Sequence, residues 1–518
     1  MSEPQRGGGI SAIFVHVGAG YHGHGNERAH LQVCENFVPG LTANSACKAA
    51  MGILKSGGSA LDAVEMAIIV MEDDEMTNAG YGSNLTIEGA VECDATIVDH
   101  HGRSGAAGAV SQVKNPISLA RMLLETSAKP LTCHRVPPSF LVGEGATDFA
   151  YEQGLVILPP DGLISRYSKE RWHRWLQDLE AAELVERKRD PSRFRMEEDR
   201  ASFLRRPMLN RNPARLIDNT RLRPHLPNSP FTGVDLLNPL PRPQAPAGGQ
   251  SRAPAPPTMA PNHGHGMGPA SGQPMAVAGG QSMAPAPEQG MAAPANTRAD
   301  GASSRANPTT APCAPGTTSV NAHPGAADED EDMISDTVGA IAVDCYGNIA
   351  AGSSSGGIGA KHRGRIGPAA LVGIGTYVIP VDPSDAEQVS VASITSGTGE
   401  HIATTMAAQT SAARLYYCQR KRNDGTFENV SEDEAMNATI ATEFMEHPGV
   451  KASPCGGAIG ILAVKKTKDG IFFYFGHNSD SFALASMSSE DRKPLSVMSR
   501  NQGNSTIAQG GRAYRARR

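Results

Sequence analysis

Apolar residues follow two rhythms along this chain. Ile10 to Val17 is an unbroken apolar run rich in branched side chains, and the flexible Gly18-Ala19-Gly20-Tyr21-His22 follows it, so a buried strand leading into a loop is predicted. After Asn44-Ser45 the apolar positions recur at helical spacing from Ala46 to Asp74, broken by Gly57-Gly58, which predicts two buried helices. Asn78 to Asn84 is rich in turn residues, whereas Ala90 to Val98 and Ala106 to Val113 alternate like strands. Pro116 stands just inside a helical stripe over Asn115 to Thr126. Arg166 to Arg206 is dense in charge, with Trp172 and Trp175 on one face of a helix. Thr337 to Val343 and Ile349 to Ser355 frame the turn residues Asp344 to Asn348 and predict a β-hairpin. Ala369 to Ile379 and Val389 to Thr395 predict further strands, and Glu400 to Cys418 a long helix. Gly457 to Val464 and Ile471 to Phe475 form a second hairpin about Lys468-Asp469-Gly470, and the polar, basic last eighteen residues predict a loose tail.

Composition changes this picture in the middle of the chain. Of 37 prolines, 22 fall between Pro207 and Met333. So much Pro, Gly, Ala and Ser with so few branched apolar residues cannot bury enough surface to offset the entropy of ordering, so a disordered linker is expected there. The expected organisation is 1–165 and 334–500 as two parts of one core, 166–206 as a charged helical insertion, 207–333 as linker and 501–518 as tail. Net charge is -6, which argues against a role in coating nucleic acid or an anionic membrane. Eight cysteines lie scattered without a CxxC pair, so thiols in a reducing compartment are expected and no metal site. No apolar stretch reaches membrane-spanning length and Met1 to Gly9 has no apolar core, which predicts a soluble, cytoplasmic protein. Nuclear entry stays open, because Arg187-Lys188-Arg189 with Arg193 and Arg195 fits either an import signal or a solvated helix end.

The informative junction is Asp336-Thr337, where an acidic segment, Asp328 to Asp332, runs into a buried strand headed by a hydroxyl. Cleavage before Thr337 would place its hydroxyl beside its own α-amine. A terminal amine titrates near ~7.7–8.0, so a useful fraction is neutral at pH 7 and accepts the hydroxyl proton. Nucleophile and base then belong to one residue, and no His/Asp relay or G-x-S-x-G elbow is needed.

The residues around this junction carry a resemblance. Asp336 to Ala340, Gly347 to Ala351, Ser354 to Gly357, Gly364 to Gly367, Gly373 to Gly375 and Ser396 to Glu400 are similar, in order and spacing, to the β-subunit signature of the type 2 asparaginase family of N-terminal nucleophile hydrolases. Gly18 to Gly20, Asn78 to Gly82, Cys93 to Ala95, Gly108 to Val110, Val113, Asn115-Pro116 and Ala120-Arg121 resemble its α-subunit pattern. The resemblance implies an α+β fold, a four-layer αββα sandwich, and autocleavage into α and β subunits that pair as a dimer of heterodimers. It implies Thr337 as nucleophile, with Ser355 as a nearby hydroxyl that steadies the amine; the alternative for Ser355 is a small residue packed between strands. It implies Ser396 and Gly397 as the pair that stabilises the oxyanion, and Arg365 as the fork that holds a substrate carboxylate. Lys361 either adds to that positive pocket or is a solvated lysine. No metal and no organic cofactor is required.

One position departs from the pattern. Members acting on free asparagine, isoaspartyl dipeptides or glycosylasparagine have Asp three residues after the arginine, where it anchors the substrate's α-amine; here that position is Pro368. Without that anchor, Asp within a polypeptide becomes acceptable. The resulting expectation is a threonine-type endopeptidase that cuts itself at Asp336-Thr337 and then cuts protein substrates after Asp. Two alternatives stay open: an L-asparaginase or isoaspartyl peptidase with an altered amine anchor, and an uncleaved, non-catalytic interaction protein.

Overall fold

A computed structural model of the chain describes residues 9–22, 27, 31, 46–189, 337–501 and 506–515. The span 207–333, Asp336, and Arg193 and Arg195 of the basic cluster lie outside the described residues. In the N-terminal block come strand β1 (Ala12–Gly20), helices α1 (Ala46–Lys55) and α2 (Ala60–Glu72), strands β2 (Cys93–Val98) and β3 (Ser104–Val110), helix α3 (Pro116–Ser127), strand β4 (Phe140–Val142), and helices α4 (Gly143–Glu152) and α5 (Arg166–Arg189). The break between α1 and α2 falls where the glycines predicted it. Ser59 then opens α2 with a capping box, its Oγ accepting from the Asp62 N–H at 3.1 Å while the Asp62 carboxylate accepts from the Ser59 N–H at 3.1 Å. Pro116 heads α3, where a missing N–H costs nothing.

The C-terminal block begins with the predicted hairpin, β5 (Val338–Val343) and β6 (Ile349–Ser355), and continues with β7 (Thr376–Ile379), β8 (Ser390–Gly397), α6 (Gly399–Thr404) and α7 (Ala407–Tyr417). A small ribbon, β9 (Gln419–Lys421) and β10 (Phe427–Asn429), precedes α8 (Glu432–Ala438) and the short α9 (Pro448–Lys451). The chain then runs through β11 (Ile459–Thr467), β12 (Gly470–His477), β13 (Ser481–Ser488), β14 (Leu495–Arg500) and β15 (Ala508–Arg515).

Two large sheets result, ordered β14-β13-β1-β5-β6-β2-β3-β4 and β15-β12-β11-β8-β7. Strand alternation divides the side chains cleanly. On one face of the larger sheet, Val338, Ala340 and Ala342 pack with Ala50, Met51, Val64, Ile68 and Ile117 of α1, α2 and α3. On its other face Phe14, Ile341 and Val343 meet Ile394, Leu462 and Phe473 of the smaller sheet, with Phe14 stacked on Phe473 at 5.0 Å between ring centroids. Ile459, Ile461 and Ala463 turn outward to Ile402, Ala412, Leu415 and Met436 of α6, α7 and α8. These are the four layers of an αββα sandwich, the α+β architecture the resemblance implies.

The structure corrects four expectations. The strand from Ile10 does not stop at Val17; β1 continues to Gly20 because Ala19 and Gly20 pair with Phe482 and Ser481 beyond a bulge. Met406, with φ 50°, splits the long helix into α6 and α7. The loose tail is in part a strand: β15 pairs along all of β12, from Gly470 opposite Arg515 to His477 opposite Ala508. The strand read over Ala369 to Ile379 is also shorter, since Pro368–Ala370 forms a 3-10 turn.

A carboxyl group is sealed between the helices and the larger sheet. Glu72, at the end of α2, is fully buried, and its Oε1 accepts from the Ile117 N–H at 3.0 Å. Burial pushes its pKa from 4.5 up to about 8, against the Ile117 N–H that pulls it down. The folded chain therefore holds a proton that the unfolded chain releases above pH 4.5, and stability is lost as pH rises from there to about 8. The slope approaches ~1.4 kcal/mol per pH unit. Glu72→Gln is expected to flatten the melting temperature across pH 5–9, as read by thermal scans of both proteins; an unchanged slope would place the proton elsewhere.

Candidate active site

Thr337 stands one residue before β5. Val338 pairs with Ser354, so the next position along that ladder sets Thr337 against Ser355. Alternation gives both the face shared with Gly339, Ile341 and Ser353, which looks toward the smaller sheet. On that sheet Ala392 and Ile394 face back, and Ser396 follows in the same phase. Its Oγ accepts from the Ala19 N–H at 3.1 Å, across 377 residues of sequence, at the bulge in β1. The nucleophile candidate and both hydroxyl candidates are thus brought to one end of the gap between the sheets. None of the described residues takes the Ser396 hydrogen, which leaves it able to donate toward that gap. Gly397 has φ 133°, and a Cβ there would lie 2.3 Å from the Ala458 carbonyl oxygen, so only glycine lets β8 approach at this point. The Ser355 hydroxyl is buried and accepts from the Gly357 N–H at 3.0 Å. That hydrogen bond ties it to the turn that leads to the substrate-binding candidates.

Arg365 lies in a slot floored by backbone. A Cβ on Gly357 or Gly367 would come within 3.0 Å or 2.7 Å of its Nη1, and one on Gly399 within 2.5 Å of its Nη2. The same added carbon on Gly399 would lie 2.8 Å from Pro368 Cδ, so the proline ring and the guanidinium both border the space over Gly399. The Arg365 side chain is 15% exposed, and its Nε and Nη2 donate to Glu400 Oε1 at 3.0 and 2.9 Å. A carboxylate therefore already sits on the fork, carried by a residue whose own side chain is 60% exposed. The alternative of a solvated Lys361 is corrected: it is 2% exposed, and its Nζ donates to the Glu92 carbonyl. Burial lowers its pKa, partly offset by the charges of Asp94, Cys93 and Glu92.

Sequence reasoning missed the two acids that hold this loop. Asp94, fully buried in β2, accepts from the Gly367 N–H at 2.7 Å and the Ala109 N–H at 2.9 Å. Burial raises its pKa, opposed first by Lys361 and then by those backbone donors. Glu92 Oε2 accepts from the Gly364 N–H at 2.7 Å. The signal was present in Glu92-Cys93-Asp94, two acids in an otherwise apolar strand. Asn78 and Asn84 were quoted for a turn, yet both amides donate to the Gly357 carbonyl, at 2.8 and 2.9 Å. The two tryptophans of α5 do share a face: Trp172 Nε1 donates to the Thr86 carbonyl at 2.9 Å, and Trp175 covers Gly359. Arg187 to Arg189, at the far end of α5, are exposed.

The chain is similar in sequence to known proteins. The family model described as asparaginase matches residues 11–202 and 295–467, well over half of the chain. An isoaspartyl peptidase/L-asparaginase of Xenopus laevis is 43% identical over 128 residues, covering 24% of this chain and 38% of that protein. The protein of that name in Homo sapiens is 44% identical over 123 residues, 23% of this chain and 36% of the relative. An N(4)-(beta-N-acetylglucosaminyl)-L-asparaginase of Elizabethkingia miricola is 35% identical over 134 residues, 26% and 36% of the two chains. The chain thus spans well under half the length of these curated relatives.

Proposed function

Since the chain belongs to the asparaginase family of N-terminal nucleophile hydrolases, we propose that it is a threonine aspartase: it frees Thr337 by cutting the Asp336-Thr337 bond and then cleaves other polypeptides after Asp. Members of the family typically form αβ heterodimers, and residues 1–336 and 337–518 would be the two subunits here. In the first step Thr337 Oγ1 attacks the Asp336 carbonyl, the amide becomes an ester, and water releases Asp336 as a carboxylate. In each later turnover the Thr337 amine takes the hydroxyl proton and delivers it to the leaving amine, and water resolves the acyl-enzyme. Ser396 and the Gly397 N–H are assigned to the oxyanion, and Arg365 to the Asp side chain.

The observation that carries the choice of substrate is Pro368. Its ring and the Arg365 guanidinium both border the space over Gly399, and it stands three residues after Arg365, where the family's amine anchor would be a carboxylate. A ring with neither charge nor donor does not select a free α-amine, but it tolerates the continuing backbone of a protein substrate. A second reading, hydrolysis of asparagine or isoaspartyl dipeptides, draws on the names of the Xenopus laevis and Homo sapiens relatives. Assaying the processed enzyme against L-asparagine, an isoaspartyl dipeptide and an Asp-containing peptide separates the two. The aspartase reading expects turnover of the peptide alone, and preferential turnover of asparagine would replace it with the second. Pro368→Asp is expected to move activity toward L-asparagine by about tenfold or more, the worth of one charge-assisted hydrogen bond.

A further inference from the structure

His16 is the buried polar group that this chemistry leaves unused. It lies fully buried in β1 and pairs with Gly339 in the last step of the β1–β5 ladder, two residues from Thr337. Its ring faces the gap between the sheets, tilted against Phe482 at 5.5 Å, and its Nε2 lies 2.5 Å from where a Cβ on Gly339 would be. Neither ring nitrogen completes a hydrogen bond among the described residues. An orphaned buried donor or acceptor costs ~1–3 kcal/mol, so a ring kept here with two of them calls for a use. The main chain of Thr337 is the polar group that acts on this ring, and it raises a pKa that burial drives down to about 3. An interaction that favours the charged imidazole is one in which the ring donates, so the acceptor is the Thr337 carbonyl. A base this weak does not take the hydroxyl proton at neutral pH.

We propose that His16 is a positioning residue for the nucleophile, donating from one ring nitrogen to the Thr337 carbonyl and completing that bond when scission frees the residue. The inference rests on Thr337 becoming the terminal residue. Before cleavage, the chain on both sides holds Thr337; afterwards only Val338 does, and the β1 ladder ends at Gly339. An untethered first residue would swing its hydroxyl away from the substrate carbonyl. His16 supplies the missing constraint from beneath, and Gly339 leaves room for the ring.

His16→Phe replaces the imidazole with a somewhat larger aromatic ring and removes the donor; His16→Asn keeps a donor on a shorter arm. The full-length Phe variant is expected to match or exceed the wild-type melting temperature, since it buries no orphaned nitrogen. Once processed, its kcat on an Asp-containing peptide falls about 100-fold with KM within about twofold, the scale of an ångström-level misplacement. His16→Asn recovers part of that loss. Unchanged kcat in the processed His16→Phe variant would overturn the proposal, as would a loss of activity that merely follows a loss of melting temperature. Should the Phe variant not fold, structures of processed wild type and uncut Thr337→Ala decide. The ring nitrogen should close to about 2.9 Å from the Thr337 carbonyl oxygen only in the processed chain, and an open gap in both overturns the proposal. If wild type yields no fragment beginning at Thr337, the assignment of the nucleophile itself fails, whatever His16 does.

Discussion

Alanine at position 337 is expected to leave a folded chain that stays in one piece at 54.3 kDa and cuts neither itself nor a peptide. The argument is chemical. Self-cleavage needs an oxygen on the residue after the scissile bond, and turnover needs the same oxygen beside the amine that cleavage creates. No other described hydroxyl combines these positions: Ser355 is on the neighbouring strand and Ser396 on the opposite sheet, bound to the Ala19 N–H. Loss of a catalytic nucleophile costs about 10⁴-fold or more. Thr337→Ser keeps the hydroxyl without the methyl group that restricts its rotamer, so some processing and some turnover should survive. A denaturing gel and a peptide assay read both, and full processing of the Ala variant would end the assignment.

The second large effect is expected at Arg365. Arg365→Ala should raise KM for an Asp-containing peptide by about 30- to 1,000-fold, corresponding to ~2–4 kcal/mol for truncating one side of a buried, hydrogen-bonded charge pair. The melting temperature should move by only a few degrees. The partner of the guanidinium among the described residues is Glu400, and an ion pair with so exposed a carboxylate contributes ~0–1 kcal/mol. Glu400→Gln should act in the opposite direction and lower KM, because a substrate carboxylate then no longer displaces a resident one. A large fall in melting temperature for Arg365→Ala, with KM unchanged, would make the arginine structural.

What could be read in advance follows from the range of the contacts. Helices α1 and α2, the glycine break between them and the hairpin from Thr337 are local, and their periodicity was legible. The resemblance also carried Thr337, Ser355 and Ser396 together, and the pairing of β5 with β6 and the phase of β8 set them at one end of the gap between the sheets. Features fixed by distant pairing were not legible. Nothing near Gly18-Ala19-Gly20 announces that Phe482 and Ser481 will extend β1 through it. Nothing in the polar tail announces that β12 offers it an edge. Whether Lys361 joins the pocket or stands in solvent stays open in the sequence until Glu92 and Asp94, some 270 residues earlier in the chain, close over it. The roles of Asp94 and His16 were hidden for the same reason, since a polar residue in a strand reveals its use only when its neighbours across the sheets are known.

The most direct test of the account is the first residue of the smaller fragment in an active preparation. N-terminal sequencing or intact mass should read Thr-Val-Gly-Ala, the chain from residue 337 to 518. A fragment that begins anywhere else, or full activity from an uncut chain, would contradict it.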